Sequence, residues 1–281
     1  MMNESEGSSR EPASLSRPTS QLAGVVTRRA SNRQRRIWSR RVTSWDQHGS
    51  ASLGAVTSAV IGVAAVQPGA KVLDLGCGNG QISIPLARRG ANVLGVDVSP
   101  AMAKALSAQA HHRDLKTLTT VAMPIEELDL PPASVDLIVS SYALHHLRDA
   151  DKARLMTAAY RWLRPGGRLV IADMMLGRGG SARDRAIIRG KLSILARKGP
   201  GGWWRIAKNA GRYLLRVQER PISMTSWTAL LERAGFIGIT ASAVVAEAGL
   251  VTAARPGPSG RGVAGPLAGA RGSTAWQTMN R

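Results

Sequence analysis

The sequence is short of cysteine and of long uncharged apolar runs. Its 281 residues include one cysteine, Cys77, which excludes an intramolecular disulfide framework and a metal site built from several cysteines. No uncharged apolar run reaches about 18 residues, so no membrane-spanning helix is predicted. The polar, Ser-rich start over residues 1–17 lacks the apolar stretch of a secretory signal. These absences lead us to expect a soluble, cytoplasmic protein.

Acidic side chains are also scarce, since 18 Asp and Glu oppose 38 Lys and Arg and leave a net charge of +20. The basic excess lies in residues 1–41, 178–220 and 255–281, whereas residues 42–177 are nearly neutral. A basic surface attracts anionic partners such as nucleic acid, a membrane surface or an acidic substrate. An Arg-biased composition on solvated faces is the alternative interpretation.

The chain divides into two tails and a central domain. Residues 1–30 (basic) and 255–281 (Gly/Pro-rich) show no periodicity, and we predict that both are disordered tails. Between them, residues 31–254 alternate apolar strands with helices, which predicts an α/β fold with a doubly wound, mainly parallel, seven-stranded sheet. Residues 178–220 interrupt the alternation with two basic helical stretches, and we interpret them as a helical cap insertion. The strands are predicted at 71–75, 92–96, 118–123, 135–140, 168–173, 237–244 and 249–253.

A glycine-rich turn follows the first predicted strand. Glycines at positions 76, 78 and 80 permit a tight bend and let a ligand approach the backbone closely. The dinucleotide pattern G-x-G-x-x-G requires glycine where Gln81 stands, which counts against NAD or FAD. Asp97 ends the second predicted strand, where a carboxylate can accept hydrogen bonds from both hydroxyls of a ribose. A generic strand–turn–helix with an incidental Asp is the alternative.

Four segments together resemble the class I S-adenosylmethionine-dependent methyltransferases, and most closely the small-molecule group that includes menaquinone and ubiquinone C-methyltransferases. They are 72–80, 95–99, 134–140 and 163–169, in the order and at the spacing of that family. The resemblance implies a Rossmann-like fold, S-adenosyl-L-methionine as the cofactor, and methyl transfer by in-line displacement.

The resemblance also implies which residues bind the cofactor. It places Asp74 near the methionine amino group and Asp97 on the ribose hydroxyls. Many relatives carry an Asp-Ala pair after the third strand, where Pro124 and Ile125 stand here, so Glu126 or a backbone carbonyl would have to accept from the adenine amino group. The full set of candidate cofactor-binding residues is Asp74, Gly76, Cys77, Gly78, Gly80, Asp97, Val98, Met102, Ile125 and Ser140.

Two adjacent histidines follow the fourth predicted strand, beside the place that the resemblance implies for the methyl group. His145 or His146 is a candidate general base or substrate-orienting group, because imidazole titrates near neutrality. In the alternative, one histidine packs and the other faces solvent, and no metal site is favoured. By resemblance Trp45 is a candidate cover over the cofactor, with ordinary helix packing as the alternative.

The sequence indicates the methyl acceptor less clearly than it indicates the methyl donor. Residues 140–143 do not have the Asn/Asp-Pro-Pro-aromatic motif typical of adenine N-methyltransferases. Carbon-5 methylation of pyrimidines uses a catalytic cysteine, and the single cysteine of this sequence, Cys77, lies in the turn assigned to the cofactor. We therefore predict a small, apolar or membrane-derived acceptor. The segment 178–220 is interpreted as packing on the domain, meeting a membrane peripherally, or contacting RNA through Trp203 and Trp204. An RNA methyltransferase and a catalytically silent cofactor-binding module are the alternatives, and no oligomeric state is predicted.

Overall fold

The computed structural model describes residues 34–36, 39, 51–177, 182–197 and 219–258. In chain order the elements are α1 (Ala51–Ala64), β1 (Lys71–Leu75), α2 (Ser83–Arg88), β2 (Asn92–Asp97), α3 (Pro100–His112), β3 (Leu118–Ala122), β4 (Val135–Ser141), α4 (Asp149–Trp162), β5 (Leu163–Met174), α5 (Ala182–Ala196), α6 (Met224–Arg233), β6 (Ile237–Ala243) and β7 (Ala248–Ala254). Short 3₁₀ turns cover Ile125–Glu127 and Leu144–His146.

The strands of these ranges form one seven-stranded sheet in the order β3-β2-β1-β4-β5-β7-β6. β1 through β5 pair in parallel, and β7 runs antiparallel between β5 and β6. The predicted α/β fold with a mainly parallel sheet is thereby confirmed. The strand order reverses between β1 and β4, and ligands of such sheets bind beside the carboxyl ends of the strands at this reversal.

Helices cover both faces of the sheet, which is why the central strands are apolar almost throughout. On one face α1, α2 and α3 bury side chains such as Val60, Leu86 and Leu106. On the other face α4 and α6 bury Trp162 and Trp227. Burying a side chain of this size stabilises the fold by roughly 1.5–3 kcal/mol. The two apolar layers hold the strand ends, and hence the loops that follow them, in fixed positions.

The predicted strand at 168–173 was too short. β5 begins at Leu163, which pairs with Val135, and the register then shifts before Leu137 pairs with Arg168. Gly166 takes a φ of +78°, so the Pro-Gly-Gly sequence forms an irregularity within the strand rather than a turn before it.

Several predictions concern the ends and the insertion. α5 agrees with the first helix predicted in the insertion, whereas the second, at 203–217, lies outside the described residues, as do the 1–30 tail and Trp45. Residue 255, predicted to begin a tail, is held by the fold: the N–H of Arg255 donates to the carbonyl of Gly167 at 2.9 Å. None of the helices in the described ranges is long and apolar enough to cross a membrane.

Candidate functional site

The turn Gly76–Gly80, called here the glycine turn, lies between β2 and the segment that follows β4. The N–H groups of Gly76 and Cys77 donate to the carbonyl of Val96 at 2.8 and 3.1 Å. Gly76 has a φ of +78°, and a Cβ added there would lie 2.2 Å from the Cβ of Ala143. Glycine is therefore required at this position both by backbone conformation and by close contact.

The other two glycines of the turn have different surroundings. The N–H of Gly78 donates to Oδ2 of Asp97 at 3.0 Å, and a Cβ added at Gly78 would meet no atom within 4 Å. A Cβ added at Gly80 would lie 2.3 Å from Cδ1 of Leu106 in α3. Gly78 therefore faces open space beside the Asp97 carboxylate, while Gly80 allows α3 to pack against the turn.

Asp97 at the end of β2 is buried and is held by two backbone amides. Its Oδ1 accepts from the N–H of Ser99 at 2.8 Å, and its Oδ2 accepts from Gly78. Burial raises the pKa of Asp97, against the opposing effect of these hydrogen bonds. Each carboxylate oxygen has a second lone pair that can accept from another donor, so Asp97 can accept hydrogen bonds from two ligand hydroxyls. The Oγ of Ser39 lies 3.0 Å from that of Ser99, so the N-terminal segment reaches this part of the site.

Asp74 is a second buried carboxyl group beside the glycine turn. The hydroxyl of Ser83 donates to Asp74 Oδ2 at 2.5 Å. Burial raises the pKa of Asp74 to about 7; the Ser83 hydrogen bond opposes this shift, and the charge of Asp97 adds to it. A carboxyl group with this pKa is ready to ionise when a cation arrives next to it.

The Cys77 thiol is buried against β2. A Cβ added at Gly95 would lie 2.9 Å from the Cys77 sulfur, so the thiol packs directly on β2. Burial raises the pKa of Cys77 well above its ordinary value, and the charges of Asp74 and Asp97 raise it further. Because the thiolate is the nucleophile of cysteine chemistry, this thiol is inert.

The remaining candidate cofactor residues lie around the same strand ends. Val98 is half-buried, and Met102 and Ile125 are buried. The hydroxyl of Ser140 donates to the carbonyl of Leu75 at 2.8 Å and so joins the end of β4 to the end of β1. Glu126, the possible substitute acceptor for adenine, is half-buried, and burial raises its pKa.

The turn Leu144–His146, called here the histidine turn, follows β4 and contacts the end of β5. Nδ1 of His145 lies 2.5 Å from Oδ1 of Asp173, and the backbone N–H of His145 donates to Oδ2 at 2.9 Å. Both residues are buried. Our sequence reasoning did not single out Asp173 as functional. The available signal was its place as the polar residue ending an apolar strand, as Asp97 ends β2.

The Asp173 contact determines the chemistry open to His145. Burial by itself lowers the pKa of His145, but the charge and hydrogen bond of Asp173 raise it, and the net result is above the ordinary value. In the tautomer that this contact favours, Nδ1 of His145 carries the proton and donates it to Oδ1 of Asp173. The neutral ring then presents Nε2 as a base, the arrangement in which histidine removes protons.

His146 and Tyr142 lie next to this pair. The ring centroids of His146 and His145 are 4.0 Å apart, and His146 is half-buried. Tyr142 takes a φ of +50°, which is unfavourable for a bulky side chain and occurs often at functional sites. Burial, with the charges of Glu247 and Asp173, raises the pKa of Tyr142 to about 12, so its hydroxyl stays protonated.

The chain was compared with known proteins. Residues 73–171 match the profile of the family described as "Methyltransferase domain". An uncharacterized methyltransferase of Synechocystis sp. is 37% identical over 110 residues, which are 39% of this chain and 50% of the relative. A ubiquinone biosynthesis O-methyltransferase of Psychrobacter cryohalolentis is 37% identical over 108 residues, 38% of this chain and 41% of the relative. The chain thus spans half or less of the length of these two relatives.

A solved structure shares the fold. It is a SAM-dependent methyltransferase from Aquifex aeolicus, which superposes with a TM-score of 0.53 at 17% sequence identity and covers 76% of this chain and 98% of that chain.

Proposed function

Because residues 73–171 place this chain in the class I S-adenosylmethionine-dependent methyltransferase family, we propose that it transfers a methyl group from S-adenosyl-L-methionine to a small, apolar or membrane-derived acceptor. The family and the cofactor predicted from the sequence are confirmed by these matches. The observation that carries the proposal is the contact between the glycine turn and the segment after β4, which brings the cofactor residues next to the His145–Asp173 pair.

The residues present fit the cofactor. Gly78 borders open space beside Asp97, whose carboxylate would hold the ribose hydroxyls. Asp74, with its pKa near 7, would ionise to face the methionine ammonium group. When bound, S-adenosyl-L-methionine supplies a methyl group that is already activated on a sulfonium. The protein's main contribution is then alignment, and orienting two reactants can lower a barrier by about 7–11 kcal/mol.

We assign the general base to His145. A hydroxyl acceptor must lose its proton as its oxygen is methylated, and Nε2 of His145 would take that proton while Asp173 holds the Nδ1–H. The name of the Psychrobacter relative, a ubiquinone biosynthesis O-methyltransferase, supports an oxygen acceptor on a lipid-related molecule. His146 is assigned to orienting the acceptor beside His145. The His146→Ala variant should lower turnover with little change in cofactor affinity.

The insertion supports two further proposals about partners. In its described part, α5 exposes Leu192 and Arg189, and Arg197 is exposed directly after the helix, a combination suited to peripheral contact with an anionic membrane. The same arginines would suit RNA phosphates, which keeps RNA methylation as the second candidate function.

The test is incubation of the protein with isotopically labelled S-adenosyl-L-methionine and separated lipid, small-molecule and RNA fractions of a cell extract. Mass analysis should find the label in a lipid or small-molecule hydroxyl, and the Asp97→Ala variant serves as the control that binds the donor poorly. Label in RNA would overturn the acceptor class. Tight donor binding without label in any fraction would overturn the enzymatic proposal.

A further inference from the structure

A lysine in α4 is completely buried. Lys152 has no exposed surface, and its Nζ lies 2.7 Å from the carbonyl of Leu147, 2.7 Å from that of Arg220 and 3.5 Å from Oδ1 of Asp149. Lysine is almost never fully buried in proteins unless its charge is paired. The two short contacts go to backbone carbonyls of segments that are far apart in the chain.

Both segments border the histidine turn. Leu147 directly follows the turn, and Arg220 is where the chain returns from the insertion. The N–H of Arg220 also donates to the carbonyl of His145 at 2.6 Å. Arg220 is therefore bound through its N–H by the histidine turn and through its carbonyl by Lys152.

Stability alone is a poor explanation for such a residue. Moving an ammonium group out of water costs several kcal/mol, and well-packed apolar replacements of buried charges are often neutral or stabilising. We infer that Lys152 is a positioning residue: its ammonium joins the end of the insertion to the histidine turn and fixes where residues 219–222 lie beside His145. Its importance for methyl transfer depends on the proposed function, whereas the link between the two segments does not.

The charge of Lys152 also acts on His145. It lowers the pKa of His145, whereas Glu219, on the segment that Lys152 holds, raises it. Removing the ammonium removes this lowering effect, but releasing the segment also removes the larger raising effect of Glu219, so the pKa of His145 should fall. These two effects give separate measurements that need no acceptor.

The test uses the full chain with Lys152→Met, which keeps an unbranched side chain and removes the charge. Hydrogen exchange should accelerate roughly tenfold or more at the Arg220 amide and its neighbours, as expected for loss of a hydrogen bond to a charged group. NMR titration should show a lower pKa for His145, while calorimetry with S-adenosylhomocysteine gives an unchanged affinity. Lys116→Met, at a lysine whose side chain is 84% exposed, is the matched control and should change neither.

Two outcomes would overturn the inference. One is unchanged exchange at residues 219–222 together with an unchanged His145 pKa. The other is faster exchange spread evenly over α4 and the sheet, which indicates a purely structural role. If Lys152→Met does not fold, Lys152→Gln, neutral but still a donor, should keep residues 219–222 in place and raise the pKa of His145, because only the charge is lost; an unchanged pKa would then overturn the inference. A failure to find any methyl acceptor would count against the proposed function and leave the exchange result standing.

Discussion

The Asp173→Asn variant is the sharpest test of the proposed base. Asp173 accepts from the backbone N–H and Nδ1 of His145 and from the N–H of Met174. An asparagine has one acceptor oxygen, so its NH₂ group must face one of these donors. The cost of one unsatisfied buried donor is about 1–3 kcal/mol of folding free energy.

The kinetic effect should be larger. Without the carboxylate, the tautomer of His145 with Nε2 as base loses its support, and the turnover should fall by roughly 10²–10⁴-fold, the usual contribution of a general base. This corresponds to about 3–5 kcal/mol in the activation free energy. The fall should occur although the pKa of His145 decreases in the variant, because burial remains while the raising charge of Asp173 is gone. If the variant has a larger fraction of neutral His145 and still reacts more slowly, the loss of the correct His145 tautomer is the cause of the lower turnover.

The assay is the initial rate of label transfer to the identified acceptor over a range of pH. The wild-type rate should rise with pH through the raised pKa of His145, and the variant's profile should shift to lower pH. Asp136→Asn is the matched control: Asp136 is also buried, but it binds the N–H of Lys71 and the guanidinium of Arg164 at the other end of the sheet. A rate for Asp173→Asn within twofold of wild type, with intact cofactor affinity, would refute the assignment.

Three further predictions concern the cofactor residues. Asp97→Ala should weaken binding of S-adenosylmethionine by roughly 1.5–3 kcal/mol, as loss of charge-assisted hydrogen bonds; unchanged affinity by calorimetry would contradict the ribose assignment. Binding of S-adenosylmethionine below pH about 7 must remove a proton from Asp74, so the affinity should fall about tenfold for each pH unit by which the solution is made more acidic. The Asp74→Asn variant should abolish this pH dependence. Gly80→Ala, which forces a Cβ against Leu106, should lower the melting temperature more than Gly78→Ala, whose Cβ meets open space; equal shifts would refute the packing argument.

The order of elements, and the positions of the candidate cofactor-binding residues beside the strand ends, could be predicted because their signals are local. The strand at 71–75 was predicted with its observed bounds, since an apolar run ends at a glycine turn. Asp97 could be located at the end of β2 because the apolar run that forms this strand ends there. The Pro-Gly-Gly before residue 168 misled the prediction of β5, because the same sequence can form a turn or an irregularity within a paired strand.

The contacts around the histidine turn could not be predicted in the same way. The contact between His145 and Asp173 joins residues 28 positions apart, and the contact between Lys152 and Arg220 spans 68. Such contacts depend on the sheet order, which places β4 next to β5, and on the path of the insertion. The two histidines were therefore recognisable as candidates, but the carboxylate that distinguishes His145 from His146 became evident from the folded chain.

The close approach of Gly76 and Ala143 has a consequence for how this protein can change. Because the Cβ of Ala143 occupies the place that a side chain at Gly76 would need, a side chain at position 76 would displace the loop opposite. Under the proposed function, a change of acceptor preference that enlarges the region around residue 143 would therefore also disturb the glycine turn. We expect new specificities to arise instead at positions further from this contact, where replacements leave the glycine turn intact.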